Sequence, residues 1–330
     1  MIGDLTMKQH PLEALCEQYL FDQNFARATL KSYRIVFKYY IIYLKENNIS
    51  YAKTSDIIKY RENLRNLGYS THYIHIHVCA LRGLYRYLRI NQNRFELSIQ
   101  YAYDVMTPIK NERIHYHINK PILTLEQAKH LILHTKKIRK SIWHYRDHAI
   151  IFLMITTGLR RIEVIQAKRE DYQKVNGKRI LYIGEKENHK RDQFVHITPG
   201  VESAIDAYLN KRKDHNPYLF VTTKNVSPKQ CLSRTFFRYM FKRVLKDCGL
   251  DGLGITPHAL RHTAGMMNLL RGGSVEATKC MLRHANIQST YIYQDYLNRL
   301  NSHTELEIEN YILKEEASNL YQSVIAYLES

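Results

Sequence analysis

Between Met106 and Pro121 the apolar periodicity of this 330-residue chain lapses into a polar segment with a proline at each end, Pro108 and Pro121. Proline lacks a backbone donor and restricts the residue before it, so a helical repeat does not run through such a segment. The lapse predicts two bodies: a helical domain over 1–110 and a second domain over 122–301, joined by a linker over 111–121. In the first, Leu12 to Gln23, Ala26 to Asn47, Thr54 to Asn66 and Ser70 to Asn91 are helix-periodic runs divided by Asn, Ser and Gly breaks. In the second, helices are expected from Leu123 to His134 and from His144 to Thr157. Arg179 to Ile183 and Gln193 to Ile197 read as two strands enclosing a charged hairpin tip. From Val201 onward the pattern is mostly helical, with a short extended piece at Tyr218 to Thr222. The expected fold class is mainly α with a small β-sheet.

The balance of charge narrows the partner. There are 49 Lys and Arg against 31 Asp and Glu, a net charge of +18, which points to a polyanion. The excess is +7 over residues 1–121 and +16 over 122–301, and it reverses to −5 over 302–330. The last segment is therefore expected to avoid DNA and to meet protein. Its Ala317, Leu320, Tyr321, Val324, Ile325 and Leu328 form an apolar stripe at helical spacing, to be covered by its own domain or by a neighbouring protomer. Lys31, Arg34 and Lys38 on the second helix, and Arg82, Arg86 and Arg89 on the fourth, form basic stripes that suit either a phosphate backbone or solvent.

Five scattered cysteines without a Cys-x-x-Cys pair indicate neither a disulfide framework nor a zinc site, and fit a reducing cytoplasm. His72, His75 and His77 have no complementary ligand spacing, so no metal and no cofactor is expected; a packed or DNA-facing helix is. No stretch approaches the roughly 20 apolar residues that span a bilayer, and the chain does not start with a basic segment and an apolar core. A soluble protein that is not exported is expected.

The chemistry is concentrated late in the chain. His258 and Arg261 stand three apart, so on a helix they share a face, and Thr256-Pro257 suits the N-cap and first position of that helix. The helix's positive end then lies near His258, as an anion such as phosphate requires. Upstream, Thr156-Thr157-Gly158-Leu159-Arg160 supplies a second arginine after a glycine break, with Glu163 three residues on. Downstream, Tyr293 follows His284 by nine positions.

These ordered segments resemble the tyrosine recombinase, or phage integrase, family over roughly residues 122–300, with a looser likeness in the helical N-terminal part. The resemblance implies a two-domain DNA clamp in which Arg160, His258, Arg261 and His284 surround the scissile phosphate. Tyr293 attacks phosphorus and becomes joined to the 3′-phosphate, releasing a 5′-hydroxyl. The implied general acid is a hairpin lysine, Lys186 as the best match and Lys190 as its competitor. Glu163 and His262 are implied supports. Arg283 stands where many relatives carry glycine, which can alter the packing of the segment that carries His284.

Implied partners are double-stranded DNA with a specific recombination site and a homotetramer on two such sites, with room for an accessory DNA-bending or directionality protein. The first 121 residues leave little space for a separate arm-binding domain, which favours a compact recombinase on short inverted repeats. Integration or excision of a mobile element is the expected role, and resolution of chromosome or plasmid multimers the alternative. Two further alternatives are a DNA-binding factor that keeps the fold without cleavage, and an enzyme that nicks or relaxes one duplex. Tyr291 and Tyr296 are rival nucleophiles if the register is shifted, and core residues otherwise.

Overall fold

A computed structural model describes residues 10–111, 121–184, 193–222, 230–313 and 326. The chain divides into two compact units, Met1–His115 and Tyr116–Ser330.

The first unit contains α1 (Leu12–Asp22), α2 (Arg27–Glu46), α3 (Thr54–Asn66) and α4 (Thr71–Ile90), each within a residue of the expected run. The polar breaks act as caps. Ser70 Oγ accepts the Tyr73 N–H at 3.2 Å, while Asn47 and Asn91 donate back to the Tyr43 and Tyr87 carbonyls at 2.8 and 2.9 Å. α1 and α4 pack on α2, and α3 packs on α4. Buried phenols need polar partners: the Tyr40 and Tyr85 hydroxyls meet at 2.8 Å, and Tyr60 meets His77 Nδ1 at 2.8 Å. His77 is thus a packed residue. Burial disfavours its cation and pushes its pKa down to about 4.

The second unit begins with α5 (Leu125–Lys137), α6 (Ile142–Thr157) and α7 (Arg161–Gln166). Strands β1 (Tyr172–Val175), β2 (Lys178–Ile183) and β3 (Gln193–His196) follow, then α8 (Pro199–Leu209), α9 (Arg234–Asp247), α10 (Pro257–Leu270), α11 (Val275–Leu282), α12 (Gln288–Asn301) and α13 (Thr304–Leu313). α6 is central, packed by α5, α8, α9 and α10. It contains the apolar run Ala149 to Ile155, and a helix covered on all sides carries no polar face. Its one buried cation, Arg146, is held by Asp147 at 2.7 Å and by the Val221 carbonyl at 3.0 Å.

The sheet is antiparallel in the order β1-β2-β3. β2 and β3 match the expected strands. β1 was not among the expected elements, and it turns into β2 through Asn176 and Gly177, both with positive φ. The hairpin tip bearing Lys186 and Lys190 lies outside the described residues. Tyr218 to Thr222 is not a strand: only Tyr218 forms a bridge, to Lys168, and Leu219, Phe220 and Val221 are all buried. α13 is exposed along its whole length. The apolar stripe from Ala317 to Leu328 lies outside the described residues. Among the described residues, no helix is long and apolar enough to cross a membrane.

Candidate active site

Arg160 is the N-cap of α7, directly after the break that ends α6. Gly158 makes that break with φ +63, and a Cβ added there would come within 2.4 Å of Leu282 Cδ2. Its carbonyl accepts Arg261 Nη1 at 2.7 Å, and Arg261 Nη2 donates to the Leu282 carbonyl. One guanidinium thereby ties α10 to the end of α6 and the end of α11. Burial, followed by Arg160 and Arg283, lowers the pKa of Arg261 to about 10, so it remains a cation at neutral pH.

Glu163 accepts the Arg160 backbone N–H at 2.6 Å and Arg160 Nη1 at 2.8 Å. Arg160 Nη2 donates to the Arg283 carbonyl at 3.2 Å, and the Arg160 side chain stays 40% exposed, open to a ligand. On α10, Thr256 caps the helix through the Ala259 N–H at 3.3 Å, with Pro257 in the first turn, as the sequence predicts. This places His258 in the first turn, exposed, with its ring 4.5 Å from that of His262.

Tyr293 on α12 is 3% exposed, and its hydroxyl is hydrogen-bonded to His262 Nδ1. Gly265, one turn further along α10, makes room for it: a Cβ there would meet Leu282 Cδ1 at 2.8 Å and Tyr293 Cε2 at 3.4 Å. Burial pushes the Tyr293 phenol up to about 12, and Arg261 pulls it partly back. Tyr291 and Tyr296, by contrast, are 38% and 41% exposed and belong to no core. His284 Nδ1 lies 2.8 Å from Thr290 Oγ1. Burial first, then Arg261, Arg160 and His258, bring the His284 pKa down to about 4, so the ring is neutral at pH 7. Arginines at 160 and 261, histidines at 258, 262 and 284, Glu163 and Tyr293 are thus gathered where α6, α7, α10, α11 and α12 meet.

A cavity of about 850 Å³ opens beside Arg160, Glu163 and His284, and Gly184 and Gln193 line its wall. These are the residues at which the chain enters and leaves the tip carrying Lys186 and Lys190.

The basic stripes of the first unit are partly neutralised. Arg34 pairs with Glu17 at 3.0 Å and Arg89 with Asp104 at 2.7 Å, while Arg82 donates to the Ile109 carbonyl at 2.6 Å; Lys31, Lys38 and Arg86 are exposed. A basic face not foreseen lies on the second unit. Arg234, Arg238 and Lys242 follow one another at four-residue spacing on α9 and, with Arg161 and Tyr239, line a cavity of about 430 Å³. Among the described residues none of these four cations is ion-paired. The spacing is visible in the sequence, but lies within a strongly amphipathic run whose Phe237, Met240 and Phe241 dominate the pattern.

Residues 121–299, more than half of the chain, match the model of the phage integrase family. Tyrosine recombinase XerA of Pyrococcus furiosus is 29% identical over 245 residues, covering 74% of this chain and 77% of the relative. Tyrosine recombinase XerD of Staphylococcus haemolyticus is 27% identical over 293 residues, covering 86% and 94%. Among solved structures, XerH bound to a palindromic difH substrate in a post-cleavage complex superposes with a TM-score of 0.71 at 20% identity, over 88% of this chain and 84% of that one. A lambda integrase fragment on a COC′ core site gives 0.62 at 15% identity, over 85% and 94%. The last two likenesses establish the fold. The chain belongs to the phage integrase family and is a tyrosine recombinase of the XerA, XerD and integrase type, an enzyme that cleaves and rejoins DNA.

Proposed function

We propose that Tyr293 is the nucleophile and that Arg160, Arg261, His258 and His284 hold the scissile phosphate of a specific duplex site. The observation that carries this reading is the Tyr293 hydroxyl bonded to His262 beside the buried Arg261. A phosphodiester resists attack until its non-bridging oxygens are neutralised, and two guanidinium groups supply paired donors that stay charged. With its pKa near 12, Tyr293 needs about 7 kcal/mol to become phenolate at pH 7 in the free protein. His262 takes the phenol proton as the oxygen bonds to phosphorus, and cationic groups around the phosphate stabilise the developing charge.

The leaving 5′-oxygen is protonated by Lys186 or, as the competitor, Lys190. The phosphotyrosyl ester retains the energy of the broken bond, so a 5′-hydroxyl from another strand reverses the step. His258 and neutral His284 act as hydrogen-bonding groups toward the phosphate, and Glu163 orients Arg160. The cations of α9 and the free members of the α2 and α4 stripes contact the DNA backbone, so that the two units together grip one duplex. Four protomers on two sites form the working unit, with the acidic segment after Asn301 docking between protomers. We infer integration or excision of a mobile element as the role, and multimer resolution as the alternative.

The test mixes nicked duplexes from DNA flanking the gene, and from elsewhere in the genome, with wild-type protein, Tyr293→Phe, or a chain ending at Asn301. Metal and ATP are omitted. A covalent adduct on a denaturing gel that maps to Tyr293 and disappears in Tyr293→Phe supports the reading. A site beside the gene favours the mobile element, and a distant site favours multimer resolution. An adduct that persists in Tyr293→Phe refutes the nucleophile. Full assembly on DNA by the shortened chain refutes the docking role.

A further inference from the structure

Arg283 combines three unfavourable features in one residue. It closes α11 in the left-handed region, at φ +53 and ψ 50, where a side chain is disfavoured. Its guanidinium is only 7% exposed, and burial weakens its hold on its proton. Its Nε has no hydrogen-bond partner among the described residues.

What offsets them lies in the catalytic cluster. Arg283 Nη2 donates to Glu163 Oε2 at 2.9 Å, while Nη1 donates to the Met281 carbonyl at 2.9 Å. The other oxygen of Glu163 holds Arg160, and Arg160 in turn donates to the carbonyl of Arg283. Side chain and main chain of one residue therefore constrain Arg160 from two directions. The charge count matters as well. Glu163 alone would cancel the charge of Arg160; with Arg283 and Arg261 present, three guanidinium groups face one carboxylate, and a net positive charge is left for a phosphate whose negative charge grows during attack.

We propose that Arg283 is a positioning residue for strand cleavage: by occupying one oxygen of Glu163 it keeps Arg160 fixed and its charge available to the scissile phosphate. This rests on the assignment of Arg160 to that phosphate made above.

Glycine at position 283 relaxes the left-handed backbone while removing the cation, so stability and catalysis should separate. Arg283→Gly, Arg283→Lys, Arg160→Ala and Glu163→Gln are compared for melting temperature, duplex affinity and single-turnover adduct formation on a nicked site. Arg283→Gly is expected to melt no lower than wild type and to bind DNA normally, yet to form adduct about tenfold more slowly or worse, a barrier change near 1.4 kcal/mol. Arg283→Lys should recover part of the rate. In the Glu163→Gln background, Arg283→Gly should add less than about a twofold loss, because the two residues act as one unit. A wild-type adduct rate in Arg283→Gly, with Arg160→Ala slow, overturns this proposal alone. So does a rate loss that merely follows a lowered melting temperature. Normal cleavage by Arg160→Ala overturns the underlying assignment and this proposal with it.

Discussion

Gly158 shows how narrowly the site is specified at single residues. Its φ of +63 is a region that L side chains rarely adopt, and the space a Cβ would need is taken by Leu282. Gly158→Ala should therefore destabilise the second unit by about 2 kcal/mol or more, seen as a lower urea midpoint. Cleavage should fall as well, because the same peptide carries the carbonyl that holds Arg261. A midpoint equal to wild type would contradict the close approach seen here. Gly158, Arg160, His258 and Arg261 were legible in the sequence as positions beside a turn or cap signal, whereas Tyr293 was singled out only by its nine-residue spacing from His284 and the family resemblance. Arg283 was legible only as a departure from pattern. Its role depends on Glu163, 120 residues away in the chain, and no local spacing reports such a pairing.

At the scale of elements, the expected helices of the first unit were found because each has an apolar face and polar ends. β1 was missed although Asn176-Gly177 is a hairpin signal, because its four residues are mostly exposed and show no alternating burial. Tyr218 to Thr222 misled for the opposite reason: a short apolar run reads alike whether it pairs in a sheet or plugs a core. The basic stripes of α2 and α4 were correctly placed on helices, but acids brought in by the fold, Glu17 and Asp104, neutralise part of each. On α9, Arg234, Arg238 and Lys242 have no ion pair among the described residues, whereas Arg243 is held by Asp147. Arg234→Ala and Arg238→Ala should each weaken duplex binding across all sequences and lower the slope of log affinity against log salt by about 1. Arg34→Ala and Arg89→Ala should change that slope less. Equal slopes for all four variants would remove the distinction between the two faces.

For the whole molecule, acid is the condition to which both units respond. His77 in the first unit and His148 in the second are held at about 4, His77 by burial and His148 by burial together with Arg139 and Lys136. The unfolded chain takes up these protons near pH 6.5, so between that value and about 4 it binds more protons than the folded one. The stability these rings contribute is complete above about 6.5, is lost as pH falls toward 4, and changes no further below it. Melting temperatures recorded from pH 7.5 to 4 should show this decline, and His148→Gln should lessen it for the second unit, where His284, also held at about 4, contributes the same kind of loss; an unchanged slope in that variant would exclude His148 as a source. Arg261 has a consequence at the same scale. Its guanidinium donates to carbonyls contributed by the ends of two other helices, so the cleaving groups converge only when all three segments are in place. A copy in which any of these segments is unfolded should therefore lack the assembled cluster proposed to cut DNA.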